Sequence, residues 1–360
     1  MGRRTISKAL LLASRAPLAA LLLSLGLAGC ASGCSTGYLW QATRGQLALV
    51  NRAKPIDEVV QNEKTPPRVK KLLEQIPDIK RFGEKNGLKA TKNYTDYVAL
   101  DRPYVSYIVS ACEDLKFKPM QWSFPIVGSV PYLGYFNRQD AFDYAADLRK
   151  DGWDVDVRGA TAYSTLGYFK DAVLSSMLTS GDDALGDLAN VVIHESVHAT
   201  RYIGGQSFFN ESLASFIADE LTPVYLKEKL GANAPELRAY VDGEAESKKR
   251  GERFQAAYRE LVKVYASSED NEKKRAEKAL VFNRLKEDLK ISPERQIGNS
   301  TMMQFRTYGT GRDEFVKLYQ ACGSDWKRFW KAINRLTESS FATSQQEDFS
   351  KTVLPLAEGC

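Results

Sequence analysis

One five-residue stretch, His194-Glu195-Ser196-Val197-His198, constrains this chain more than any other. On a helix, side chains four residues apart stand over one another, so the two imidazoles share a face and can bind one metal ion together. Glu195 then lies beside the position the metal leaves open, where a general base is useful. Composition sharpens the reading, because the chain has only 2 histidines and both lie in this pattern. The apolar run Val191-Val192-Ile193 just before it argues for a buried helix. The stretch reads as a zinc site, with Zn2+ as the cofactor.

Catalytic zinc generally keeps three protein ligands and an open position. Without a third histidine, the remaining ligand is expected to be a carboxylate. Glu211, in Asn210-Glu211-Ser212-Leu213-Ala214, is the first candidate, since a turn at Gly204-Gly205 would fold the next helix back across the first. A glutamate in the opening turn of a helix also answers the helix dipole, which is the competing account of that residue. Glu220 is the alternative ligand. It sits half a helical rotation from Glu211, so only one of the two can face the metal.

Residues 1–29 read as an export signal, with Arg3, Arg4 and Lys8 ahead of an apolar stretch over residues 17–28. Leu27-Ala28-Gly29-Cys30 resembles the bacterial lipobox, which implies lipidation at Cys30 and residues 30–37 as a tether. The residue after Cys30 is Ala31, and in a Gram-negative host this implies sorting to the outer membrane, facing the periplasm. Several acyl chains on one cysteine suffice for stable anchoring. Of the remaining cysteines, Cys322 and Cys360 could pair in an oxidising compartment. The formal charge of +5 implies no nucleic-acid partner, because basic runs such as Lys248-Lys249-Arg250 lie among acidic residues.

Apolar spacing predicts helices over Tyr38–Leu49, Pro67–Phe82, Tyr104–Leu115 and Asp140–Lys150. Two short strands joined through Gly128 are expected between Trp122 and Phe136, and a further strand over Trp153–Val157. Ala162–Phe169 should also be extended, an edge on which Tyr163, Ser164 and Thr165 could bind a peptide substrate through main-chain hydrogen bonds. The metal helix is placed at Leu185–Tyr202, stopped by Gly204-Gly205, and the next at about Asn210–Glu220. Beyond it, stripes at Phe254, Tyr258, Leu261 and Tyr265 and at Phe282, Leu285 and Leu289 predict a helical hairpin turning at residues 267–271. Met302–Leu336 is helical again. The expected fold is α+β and mainly helical, with a small mixed or antiparallel sheet packed on the metal helix. Its parts are a core over residues 38–224, the hairpin over 225–290 and a C-terminal helical part over 291–360.

His-Glu-x-x-His followed by a helix opening Asn-Glu resembles the Glu-zincin metallopeptidases, thermolysin among them. More closely, the chain is similar to a bacterial family of zinc aminopeptidases carried by lipoproteins. The similarity rests on the lipobox, Gln41 and Arg44-Gly45-Gln46, Phe124-Pro125-x-x-Gly128, Tyr132-x-Gly134-x-Phe136, Ala162–Gly167, HESVH and Phe209-Asn210-Glu211-Ser212. It implies peptide hydrolysis with His194, His198 and Glu211 holding zinc and Glu195 moving the proton. Two departures from thermolysin stand out. The spacing from His198 to Glu211 is shorter, and Ser215 replaces the aspartate that supports a ligand one turn after the glutamate. Since no histidine is spare to stabilise an oxyanion, the donor should be Tyr, Arg or Lys, with Tyr308 first and Tyr163 second. The alternatives to an aminopeptidase are an envelope endopeptidase and an anchored scaffold with structural zinc.

Overall fold

A computed structural model describes residues 36–124, 128–163, 170–309 and 311–360, without the side chains of residues 36, 128 and 306–309. Cys30, Ser164 and Thr165 therefore lie outside the described residues. Helix α1 spans Thr36–Arg52 and is docked by Gln41, which donates to the Gly134 carbonyl and accepts from the Phe136 amide, each at 3.1 Å. Strand β1 (Lys54–Pro55) leads into α2 (Ile56–Gln61), α3 (Pro67–Leu73) and α4 (Ile76–Lys85). The predicted helix over Pro67–Phe82 is thus two helices, broken at residues 74–75.

Two three-stranded sheets and a hairpin follow. β2 (Asp96–Val98) pairs antiparallel with β1 and parallel with β8 (Val173–Leu174). The second sheet has the order β6-β3-β7, from β3 (Ser106–Cys112), β6 (Leu133–Tyr135) and β7 (Asp154–Ala160), all antiparallel. β4 (Trp122–Phe124) and β5 (Gly128–Val130) pair antiparallel, so two strands lie where they are expected, but Gly128 opens β5 and pairs with Phe124 instead of joining the two. The helix expected over Tyr104–Leu115 is a misreading, because the segment is the central strand β3. Its two faces are covered by α5 (Arg138–Lys150) and α10 (Asn299–Gly309). A strand buried on both faces shows a continuous apolar run without alternation, which periodicity cannot tell from a buried helix.

A 3-10 turn at Ser175–Met177 leads toward α6 (Ala184–Thr200), which carries both histidines. It ends at Thr200, ahead of the glycine pair. After six residues the chain enters α7 (Ser207–Leu230), longer at both ends than predicted and continuous through Pro223. The boundary drawn at residue 224 falls inside this helix. α6 and α7 are the central pair, with Leu188, Val197, Leu213 and Ile217 fully buried. Among their other neighbours, α4 and α8 (Pro235–Ala266) pack on both helices, and α10 and α11 (Arg312–Ala321) on α7. Gly186 lets α8 approach, because a Cβ there would overlap the Tyr240 ring. From residue 241 to 250 α8 is exposed on every side; its far half then packs with α9 (Asn271–Asp288) as the expected hairpin, through Phe254, Leu261, Phe282 and Leu285.

α12 (Trp326–Ile333) and α13 (Ser350–Val353) complete the chain, and Cys322 is bonded to Cys360. Among the described residues no helix is long and apolar enough to cross a membrane.

The hairpin is joined to the β3-containing sheet by a nearly dry polar contact. Lys278 Nζ lies 2.8 Å from carboxylate oxygens of both Asp114 and Asp154, with 13% and 11% of the Lys278 and Asp154 side chains exposed. Asp154 also accepts from the Asn299 and Ser300 amides and so caps α10. Removing one partner of a buried ion pair is strongly destabilising, whereas exposed pairs contribute little. Asp154→Ala should cost about 3 kcal/mol; an unchanged urea midpoint would show that the contact contributes nothing net.

Candidate metal centre

The helical repeat places His194 and His198 on the α7-facing side of α6, and the short connection brings Glu211 opposite them. Glu211 Oε2 lies 3.3 Å from His194 Nε2 and 3.6 Å from His198 Nε2. These three ligand atoms all fall within 4.8 Å of one another. Four ligands at about 2.05 Å around a tetrahedral ion stand about 3.3 Å apart, so the two histidine to carboxylate separations already match. Only 16%, 4% and 12% of the His194, His198 and Glu211 side chains are exposed.

Asn210 holds the carboxylate's approach. It is 1% exposed, donates to the Ile203 carbonyl at 2.8 Å and accepts from the Ile203 amide at 2.9 Å, closing the loop between the two helices. Glu195 faces the same region. Among the described residues its Oε2 is out of solvent and has no hydrogen-bond partner, and its charge acts on His198. A buried carboxylate oxygen left without a donor is costly in an apolar interior and suits a site that receives a water or ion. Two imidazole nitrogens, one carboxylate oxygen and an adjacent orphan carboxylate form a donor set able to hold a metal ion.

The electrostatics follow from this packing. Burial pulls the His198 pKa down, but the Glu211 carboxylate and then Glu195 outweigh it, so the pKa is raised from its ordinary 6.5. Burial pushes Glu211 up, yet the two imidazoles hold it well below its ordinary 4.5. Tyr94 lies near enough for Glu195 and Asp171 to act on it; burial first, then these two charges, raise its pKa well above the usual value. It is 3% exposed and adopts a left-handed backbone, φ 60°.

Glu220, the alternative ligand, is instead paired with Arg312 at 2.8 Å. Tyr163 packs edge-on against Phe136 and its pKa is pushed up to about 12, chiefly by burial and then by Asp171. Tyr308 lies in the last turns of α10, its side chain outside the described residues. Sequence reasoning passed over Asp219, which accepts from Asn190 Nδ2 at 3.2 Å, pairs with Arg312 at 2.8 Å and feels the charge of His194. The signal was present in the spacing. Asn190 is one turn before His194, and Asp219 two turns beyond Glu211.

The family described as Putative aminopeptidase matches residues 37–347. The chain belongs to that family. No curated protein and no solved structure matches it. The family match runs from α1 through the metal-competent group to the C-terminal segment, so the sheets, the hairpin and the central helix pair all belong to the family's own extent.

A raised histidine pKa contributes stability below the unfolded value of 6.5, lost as pH rises through the folded one. A lowered glutamate pKa contributes stability above 4.5, lost as pH falls toward the folded one. The metal-free site is therefore most stabilising in mildly acid solution. The thermal midpoint of the metal-free chain should fall as pH rises from about 6 to about 8, and His198→Gln should flatten that slope. The same slope in both proteins would refute the assignment.

Proposed function

We propose that this protein is a zinc-dependent peptidase, an aminopeptidase in keeping with its family's description, acting on peptides at the cell envelope. The convergence of His194 Nε2, His198 Nε2 and Glu211 Oε2, with a buried Glu195 oxygen that has no partner among the described residues, carries the reading. Two histidines and one glutamate are a donor set of catalytic zinc, whereas structural zinc is usually closed by four ligands that include cysteine. Cys112 is a buried free thiol in β3, and Cys322 and Cys360 are bonded to each other, so none of them joins the group.

When bound, zinc supplies Lewis acidity, polarising a carbonyl oxygen and making water acidic near neutral pH. Glu195 takes the proton from water and passes it to the leaving amine nitrogen. His194, His198 and Glu211 fix the ion, and Asn210 keeps Glu211 at its height on α7. A phenol serves as oxyanion donor, Tyr308 or Tyr163; the Tyr163 hydroxyl, with its pKa at about 12, keeps its proton at neutral pH. Tyr163, Ser164 and Thr165 offer the substrate an extended edge. The lipid on Cys30 holds the enzyme to the outer membrane, facing the periplasm.

Glu195→Gln should retain zinc and lose hydrolysis by at least about a hundredfold, while His198→Ala should lose the metal. An equally active Glu195→Gln enzyme would sink the mechanism. Free-amine peptides should be cut in preference to N-blocked ones, and the reverse preference would make the protein an endopeptidase.

A further inference from the structure

The first turn of α7 carries backbone N–H groups that no helical carbonyl can accept, and such groups need a cap. Gln206, at the N-cap, makes no side-chain bond onto its own helix. The cap comes from the other end of the chain. Gln345 Oε1 accepts from the Ser207 amide at 3.0 Å, and Gln345 Nε2 donates to the Ser129 carbonyl of β5 at 2.5 Å. The Gln345 amide donates to the Gly205 carbonyl at 2.7 Å. Around it, Gln206 Nε2 donates to the Thr343 carbonyl at 2.8 Å and the Gln346 amide donates to Gln206 Oε1 at 3.1 Å.

These contacts meet at a locally strained place. Gln345 has φ 52° and Gly205 φ 68°, so one of the two left-handed positions is held by a residue that lacks glycine's freedom. Phe341 and Phe349 pack edge-on against Phe209, two residues before Glu211, with ring centroids 5.2 and 5.6 Å away. Beyond Phe349 the chain packs on α11, and the bond between Cys360 and Cys322 fastens its end. Residues 341–349 thus form a strap over the turn of α7 that precedes Glu211. Gln345 bonds the loop, the helix and β5 at once.

We propose that Gln345 is a positioning residue for the metal centre: its side chain caps α7 and sets the height at which Glu211 meets His194 and His198. The inference rests on the metal reading given above. Ser207 is one turn before Glu211, so an axial slip at that cap moves the carboxylate relative to two imidazoles fixed on α6. Metal affinity is sensitive to such support, commonly by tenfold or more.

Gln345→Gly separates positioning from general stability. Glycine tolerates the left-handed backbone and keeps the amide bond to Gly205, so the loss is confined to the side-chain bonds to Ser207 and Ser129. With the full chain stripped of metal and titrated with Zn2+ against a chromogenic chelator, Gln345→Gly should bind about tenfold more weakly. Its Co2+ absorption spectrum should differ from that of the unsubstituted chain, and the metal-free thermal midpoint should fall by only a few degrees, because relief of the left-handed backbone offsets part of the lost cap. Gln345→Asn, which keeps an amide and tolerates the same backbone, should lie between the two and serves if the glycine variant folds poorly. Equal Zn2+ affinity and identical Co2+ spectra in both variants would overturn the positioning role. Failure of the unsubstituted chain to bind Zn2+, or equal binding by His198→Ala, would overturn the metal reading and the inference with it.

Discussion

The structure depends on one carboxylate placed between two imidazoles. Glu211 and His198 shift one another's proton affinities in opposite directions, and they do so only because α6 and α7 pack tightly enough to exclude most of the water between them. That closeness follows from small local choices: a connection of six residues, Asn210 bonded both ways across it, and a face of Leu188, Val197, Leu213 and Ile217 on the two helices. The surrounding helices close over this pair, and a misplaced pair would leave three polar groups buried without use.

Much of the centre was legible in the sequence because its chemistry is local. Two histidines at helical spacing in a chain with no others, and a glutamate shortly after a glycine turn, define the group without tertiary information. What escaped notice depends on distant partners. β3 reads as a helix because helices cover both its faces, which erases the alternation that marks a strand. α7 runs past its expected end near Glu220, continuous through Pro223, where packing sustains the helix. Asp219 is placed by Asn190 and Arg312, and Tyr94 by the packing that brings it near Glu195 and Asp171.

The hairpin illustrates a different economy. α8 is anchored at Tyr240 against Gly186 and again from Phe254 onward, while residues 241–250 between them are exposed. Their composition fits that role, since Lys248, Lys249 and Arg250 sit among glutamates and nothing apolar needs covering. The sequence reading of these basic runs as solvated helix faces agrees with their exposure.

The strap has a consequence for the order of assembly. His194 and Glu211 are 17 positions apart, so the α6–α7 pair can close early by short-range search. Ser207 and Gln345 are 138 positions apart, so the cap on α7 forms only after nearly the whole chain has emerged. The two histidines and the glutamate are therefore brought together before the cap on α7 forms. A chain lacking residues 341–360 would keep the short-range packing of α6 on α7 and leave the Ser207 amide without the cap that Gln345 supplies.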